Sequence, residues 1–200
     1  YLVHVGKDKV ELLAKNLFDK RADVVCNAVQ VLARIGDERA LSYLKRVVQN
    51  EHVEVRLTLV TALAESAHAN ATDILAQCVT DKDASVRRAA VDSLIKRKGS
   101  LAFEAIAGIV DSAHFEKCNT GERQILLNAF SEVGGEHAVP FLAQCIMEFN
   151  LTGNSEKKFK RKSAFDALCR NHSEKADRLL VSLSRSWRPE IKEMALDAIR

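Results

Sequence analysis

The sequence predicts an all-α protein, a stack of about six helical hairpins with truncated end repeats. Three observations carry that prediction. A four-residue pattern with large apolar ends recurs six times. A second, alanine-led apolar segment recurs in step with it. Glycine and proline are scarce, eight and two in 200 residues, where a β-rich chain would be punctuated by many more.

The pattern is clearest in KDASVRRAAVDSLIKRKG, Lys82 to Gly99. Its quartet VDSL starts at Val91, and its counterparts are VQVL at Val29, VTAL at Val60, LNAF at Leu127, FDAL at Phe165 and LDAI at Leu196. Successive offsets of 31, 31, 36, 38 and 31 residues follow from those numbers. The second member is always polar: Gln30, Thr61, Asp92, Asn128, Asp166 or Asp197. In the third copy Val86, Ala90, Val91 and Leu94 form the stripe of a helix with one buried face. Gly36, Gly99 and Gly134 follow three of these helices and fit left-handed C-terminal caps.

The second helix opens at Ala40 as ALSYLKRVV and recurs at Ala71, Ala102, Ala138 and Ala176, with offsets of 31, 31, 36 and 38. Two helices sharing one period make the repeat a hairpin. Pro140 stands in the first turn of its helix, where a missing N–H breaks no helical bond. The two longer periods place insertions at SAHFEKCNTG, 112–121, and NLTGNSEKKFKRK, 150–162, read as lengthened loops between repeats. The chain opens without methionine near the end of one first helix (Tyr1 to Val5), continues with a second helix from about Lys9 to Lys20, and stops inside another at Arg200. That predicts a single repeat domain over 1–200, taken from a longer protein. One hairpin cannot hide both its apolar sides, so neighbours must cover each other, and at roughly 25 cal/mol per Å² of apolar area the interfaces supply most of the stability.

Composition narrows the function classes. At 47% hydrophobic and 28% charged the chain suits a folded soluble protein. A net charge of +3 does not by itself call for a polyanionic partner. Cys26, Cys78, Cys118, Cys145 and Cys169 are scattered, odd in number and form no CxxC, which points to a reducing cytoplasm. No apolar run approaches the roughly 18 residues of a membrane span.

The best repeats, DKDASVRRAAVDSLIKRKG and EHVEVRLTLVTALAES, combine an acidic residue, Val-Arg and an alanine-rich apolar run. In this the chain resembles HEAT-repeat proteins, especially the short HEAT-like kind of bacterial scaffolds and phycobilin lyases. The resemblance covers essentially the whole chain and implies a right-handed α-α superhelix. It also implies an arginine ladder. The ladder position is basic at Arg56, Arg87, Arg123, Arg161 and Lys192, with Val25 the exception. The family pairs this arginine with an aspartate six residues earlier. Here that residue is Asp81 or the amide Asn50, with Lys20, Lys117, Ser155 and Ser186 assigned to the other copies. An incomplete ladder predicts less regular later interfaces.

In such arrays partners bind the concave face built by the second helices. Counted from the opening alanine, offsets 3, 4, 7 and 8 are mostly apolar and belong to the core. Offset 2 supplies Ser42, Asp73, Glu104, Pro140 and Arg178 to an exposed ridge; offset 6 supplies Arg46, Gln77, Gly108, Gln144 and Ser182; offset 9 supplies Gln49, Thr80, Asp111, Met147 and Arg185. The partner-binding candidates are Ser42, Arg46, Gln49, Asp73, Gln77, Glu104, Gln144 and Arg178. The basic stretch Lys157, Lys158, Lys160, Arg161 and Lys162, with Phe159 among them, has two readings. It either meets an anionic partner or is a solvated loop running into a helix. KRK at Lys96 to Lys98 opposes the dipole at the end of its own helix. Trp187 in SRSWRPE anchors its turn against the preceding repeat or faces a partner; anchoring is the favoured reading.

Candidate chemistry is thin. His114 and Cys118 have a metal-compatible spacing, but no second pair completes a zinc site. Cys78 and Cys145 share a core position. Asn150 opens a glycosylation sequon, without meaning in a cytoplasmic chain. No nucleophile elbow, P-loop or dinucleotide fingerprint occurs. The expectation is a non-enzymatic protein-interaction scaffold with no catalytic residues, metal or cofactor. Its partner is another protein or another domain of the same polypeptide, not a nucleic acid. The alternative is a nucleic-acid-binding domain like the HEAT-like alkylpurine DNA glycosylases. That resemblance implies a basic, aromatic-lined concavity and a catalytic aspartate, and this ridge is neither basic nor aromatic. A phycobilin-lyase-type accessory protein is the more distant option.

Overall fold

The computed structural model describes residues 9–66, 68–148 and 155–199. Among them every regular element is helical, and the fold is of the all-α, HEAT-like solenoid class. They fall into two compact units, within Tyr1–Ala105 and Ile106–Arg200.

The first unit holds α1 (Val10–Lys15), α2 (Ala22–Ile35), α3 (Glu38–Leu44), α4 (Val53–Ala64), α5 (Asn70–Cys78) and α6 (Ala84–Arg97). The division falls inside α7 (Gly99–Val110). First helices α2, α4 and α6 pack side by side, and α3 and α5 form the second row. The quartets drive this packing. Val29, Leu32, Val60, Leu63, Val91 and Leu94 are all buried, whereas Gln30 and Thr61 face solvent. Gly36 caps α2 with φ +61° and donates its N–H to Leu32 O at 3.0 Å. In the third copy the turn falls one residue early: Lys98 takes φ +50° and Gly99 opens α7. The second helix at Ala40 is α-helical only to Leu44 and tightens to a 3-10 turn over Lys45–Gln49. The helix expected over Lys9 to Lys20 ends at Lys15, followed by a 3-10 turn over Asn16–Phe18. The segment Tyr1 to Val5 lies outside the described residues.

The second unit continues with α8 (Ala113–Lys117), α9 (Thr120–Gly134), α10 (Val139–Met147), α11 (Ser155–Cys169), α12 (Glu174–Leu183) and α13 (Pro189–Ile199). α9 packs on α11, α10 on α11, and α12 on α13. Gly134 remains helical, and Gly135 makes the left-handed turn at φ +48°. Pro140 does sit in the first turn of α10.

Both expected insertion loops need correcting. Residues 112–121 contain α8, which buries Phe115 and Cys118, and Asn119 then caps α9 by accepting the Glu122 N–H at 2.9 Å. The basic stretch is no loop either. Lys157, Lys158, Lys160, Arg161 and Lys162 lie in the first half of α11. Glu, Lys and Arg are good helix formers, and Arg161 buries its side chain on the face shared by Ala164, Phe165 and Leu168. Asn150, the sequon residue, lies outside the described residues.

Candidate functional site

The ridge begins from what must be buried beneath it. In the first unit offsets 4, 7 and 8 place Leu44, Val47, Val48, Leu75, Cys78 and Val79 in the core. The helical period then turns Ser42, Arg46, Gln49, Asp73, Gln77 and Thr80 outward, and all six are exposed. Glu104 on α7 is exposed as well. Arg46 stacks its guanidinium on the Tyr43 ring at 5.9 Å, and Gln77 donates to Asp73 O at 3.2 Å. Below Gln49, Gln77 and Thr80 opens a cleft of about 230 Å³ containing Arg56 and Asp81. In the second unit Pro140, Gln144 and Met147 of α10 and Arg178, Ser182 and Arg185 on α12 and just beyond it are exposed over buried Leu142, Cys145, Ile146, Leu180 and Leu183. Arg178 pairs with Glu174 one turn away in an exposed ion pair.

The arginine ladder supports the ridge, though not through the pairing first expected. Arg56 sends Nε to Asp81 Oδ2 at 2.7 Å and Nη2 to Oδ1 at 3.0 Å, so the carboxylate belongs to the following repeat. Both side chains are almost wholly buried, and the carboxylate raises the guanidinium pKa. Within its own copy each arginine instead donates to carbonyls at the preceding helix end: Arg56 to Asn50 and Glu51, Arg87 to Asp81 and Lys82, Arg123 to Cys118 and Glu116, Arg161 to Ile146 and Glu148. Glu116, Ile146 and Glu148 stand at helix ends, where the last carbonyls lack an intrahelical donor. One guanidinium therefore closes a helix end and reaches the next repeat.

The residue six positions earlier has a different task. In the first copy it is Asp19, not the neighbouring Lys20. Asp19, Asn50 and Asp81 each accept the backbone N–H two residues on, at 2.9, 2.9 and 2.8 Å, and Ser186 does the same for Arg188 at 3.3 Å. A short polar acceptor suffices for that turn, which explains why Asp, Asn and Ser interchange. The later interfaces nevertheless keep their cross-repeat pairs by moving the acid: Arg123 meets Glu156 at 3.5 Å and Arg161 meets Glu190 at 3.2 Å. Lys192, in the last copy, is exposed.

Those pairs also account for much of the charge of α11. Lys157 meets Glu148 at 2.9 Å and holds that carboxyl below the usual range. Lys160 lies 4.0 Å from Glu116. Lys158 and Lys162 line a groove of about 480 Å³ with Glu190, Glu193 and Asp197. The basic stretch therefore faces carboxylates of its own unit.

Sequence reasoning missed a second polar link between repeats. Arg97 does not serve its own helix end: it donates to Thr72 Oγ1 at 3.1 Å and to the carbonyls of Leu63, Ser66 and His68. Its partial burial pushes the guanidinium pKa down. Asn171 stands at the same repeat position, six after the quartet start, and gives Nδ2 to Ser131 O at 3.1 Å and Gly135 O at 2.9 Å. Ser131 Oγ donates to Ala167 O at 2.7 Å, so this network is closed and buried. Asn171→Ala is expected to cost about 1–3 kcal/mol by stranding those carbonyls, read from urea unfolding. A cost below a few tenths would show the network to be slack. The available signal was two polar residues, Arg97 and Asn171, aligned where Ile35 and Val133 stand in other copies.

Two expectations about single residues also change or gain detail. Trp187 does not anchor its turn inward; it is 75% exposed. The shared core position of Cys78 and Cys145 is buried as expected, and burial pushes the Cys78 thiol up to about 12 and raises that of Cys145. All five cysteines are free, and Cys169 is exposed. Iodoacetamide at pH 8 is expected to label Cys169 in the native chain and Cys78 and Cys145 only after unfolding, by peptide mass mapping. His114 and Cys118 gather no further ligand: among the described residues no three His, Cys, Asp or Glu side chains converge. A groove of about 850 Å³ is lined by Gln30, Arg34, Thr61, Glu65 and His68, on and just past the first helices and not on the ridge. No helix among the described residues is long and apolar enough to cross a membrane.

Two-helix repeats on a regular period, closed by arginines that reach from one repeat to the next, define the class as an α-helical repeat protein. The HEAT repeats model matches residues 46–119, and the PBS lyase HEAT-like repeat model matches 24–50. Residues 24–119 are HEAT repeats. No curated protein matches it. Among solved structures it is similar to the complex of CpcE and CpcF of phycocyanin lyase from Nostoc sp. PCC7120, at 18% identity and a TM-score of 0.51, over 95% of this chain and 75% of that one. An engineered protein gives 20% identity and 0.47, over 96% and 95%. Human deoxyhypusine hydroxylase in complex with glycerol gives 18% and 0.46, over 99% and 75%. At these identities the likeness is one of fold.

Proposed function

We propose that the chain is a non-catalytic interaction scaffold that presents the second-helix ridge to another protein or to another domain of its own polypeptide. The observation that carries this reading is the uniform exposure of the ridge in both units. Ser42, Arg46, Gln49, Asp73, Gln77, Glu104, Gln144 and Arg178 all face solvent above buried positions of the same helices. Mixed charge on a rigid base suits recognition of a protein, which needs varied polar contacts around apolar anchors. A phosphate-tracking surface needs several cations in line, and the cations of α11 lie against acids. Five free thiols support a reducing, cytoplasmic setting.

The test is affinity capture with the wild-type chain and with the charge changes Arg46→Glu, Asp73→Arg, Glu104→Arg and Gln144→Glu combined. These are surface positions, so the thermal melt should shift little. Proteins retained by the wild type and released by the variant support the ridge. Retention of every partner by the variant refutes it.

A further inference from the structure

We propose that the ridge of the second unit ends in an anchoring corner, formed by Met147, Val181, Arg185, Trp187 and Arg188, that takes an acidic amphipathic peptide segment. The inference rests on the ridge reading and names the chemistry of its partner. A single exposed apolar side chain is ordinary; this corner holds three. Trp187 is 75% exposed, Val181 46% and Met147 41%. They are fixed by structure rather than scattered. α10 and α12 pack together, Met147 closes α10, Val181 lies on α12 beside Arg178 and Ser182, and Arg185 stands in the turn just past that helix. Trp187 follows in the turn to α13.

Arg188 joins these pieces. Its guanidinium lies 5.5 Å from the centre of the Trp187 ring, and its Nη1 donates to Met147 O at 2.9 Å, tying the turn to the end of α10. A stacked arginine holds the indole in place, so binding orders less of it. Trp, Arg and Met are the residue types concentrated in interface anchors.

Charge selects the occupant. Arg185 is exposed and forms no ion pair among the described residues, and the Arg188 guanidinium is held against the ring and Met147 O. Arg178 is held by Glu174, one turn along α12. A partner with Asp and Glu around one bulky apolar side chain would place that side chain against Trp187, Val181 and Met147 and its carboxylates against Arg185. Nucleic acid fits less well, because the α10 part of the ridge, Pro140, Gln144 and Met147, continues no line of cations.

Trp187 is the only tryptophan, so its emission reports on the corner directly. The probe is a fluorescein-labelled synthetic peptide of about a dozen residues, Asp and Glu around one Phe and one Leu, long enough to cover a standard anchor. It is titrated into the whole chain by anisotropy, with unlabelled peptide for the emission measurement. Binding should shift the emission, weaken from about 50 to 200 mM salt, and fall at least about tenfold in Trp187→Ala and in Arg185→Glu. Both variants alter exposed side chains, and circular dichroism checks that they remain folded. Lys15→Glu, exposed on α1 and off the ridge, should bind normally. Absence of binding by the wild type, or binding indifferent to Trp187→Ala, overturns the proposal. Loss of binding in Arg46→Glu but not in Trp187→Ala overturns this corner while leaving the ridge in place. Tighter, Trp187-dependent binding of an oligonucleotide would assign the corner to nucleic acid instead.

Discussion

Asp81→Asn is expected to destabilise the first unit by about 3–5 kcal/mol, because it leaves the guanidinium of Arg56 buried without its counter-charge. The carboxylate takes both Arg56 Nε and Nη2, and the two side chains are 1% and 4% exposed. The amide keeps an acceptor for the Asp83 N–H, so the turn survives and the loss measures the charge pair rather than the loop. Urea unfolding of the variant checks the magnitude. Glu156→Ala is the contrast. It removes the corresponding cross-repeat acid from Arg123, but that carboxylate is 69% exposed, and the change should cost less than about 1 kcal/mol. Equal losses at the two positions would show that burial does not govern these pairs. A cycle combining Arg56→Met with Asp81→Asn should be strongly non-additive, since removing the cation removes the reason for the penalty. The double variant should recover part of what Asp81→Asn loses, short of the wild type, because the carbonyls of Asn50 and Glu51 also lose their donor.

The contrast explains what could be read in the sequence. Six quartets and five alanine-led segments fixed the hairpins because burial imposes a period, and periods survive in a single sequence. Exposure of the ridge followed from the same arithmetic. What escaped was whatever broke the period. Glu156 and Glu190 replace the expected aspartates from other offsets, so the ladder looked broken although its cross-repeat pairs persist. Arg97 looked like a dipole partner for its own helix, yet a long side chain can reach the carbonyls of the neighbouring repeat. The basic half of α11 looked like a loop because charge hid the helical face on which Arg161 is buried. Trp187 looked like an anchor for its turn. Its turn faces outward, and no spacing rule could show that. The partner itself leaves no period at all, since a surface is shaped by what binds it and not by the fold beneath.

The insertion at 112–121 gives the second large effect. Phe115→Ala is expected to cost about 3–5 kcal/mol, the range for emptying a buried phenylalanine site. As an inter-repeat loop this segment would tolerate the change at a few tenths of a kcal/mol. Instead α8 buries the ring to 2% exposure. Arg123 stacks its guanidinium 6.0 Å from the ring centre while closing the end of α8 through Cys118 O and Glu116 O. Removing the ring therefore opens a cavity under α8 and withdraws the surface on which the ladder arginine of this repeat rests. Phe115→Leu should restore part of the loss by refilling volume without the aromatic face. Its shortfall relative to the wild type includes the stacking with Arg123, and if stacking contributes, Arg123→Lys should cost less in the Phe115→Leu background than in the wild type. Should Phe115→Ala unfold at the same urea concentration as the wild type, α8 is only a tethered strap, and the longer third period is the loop that the spacing alone suggested.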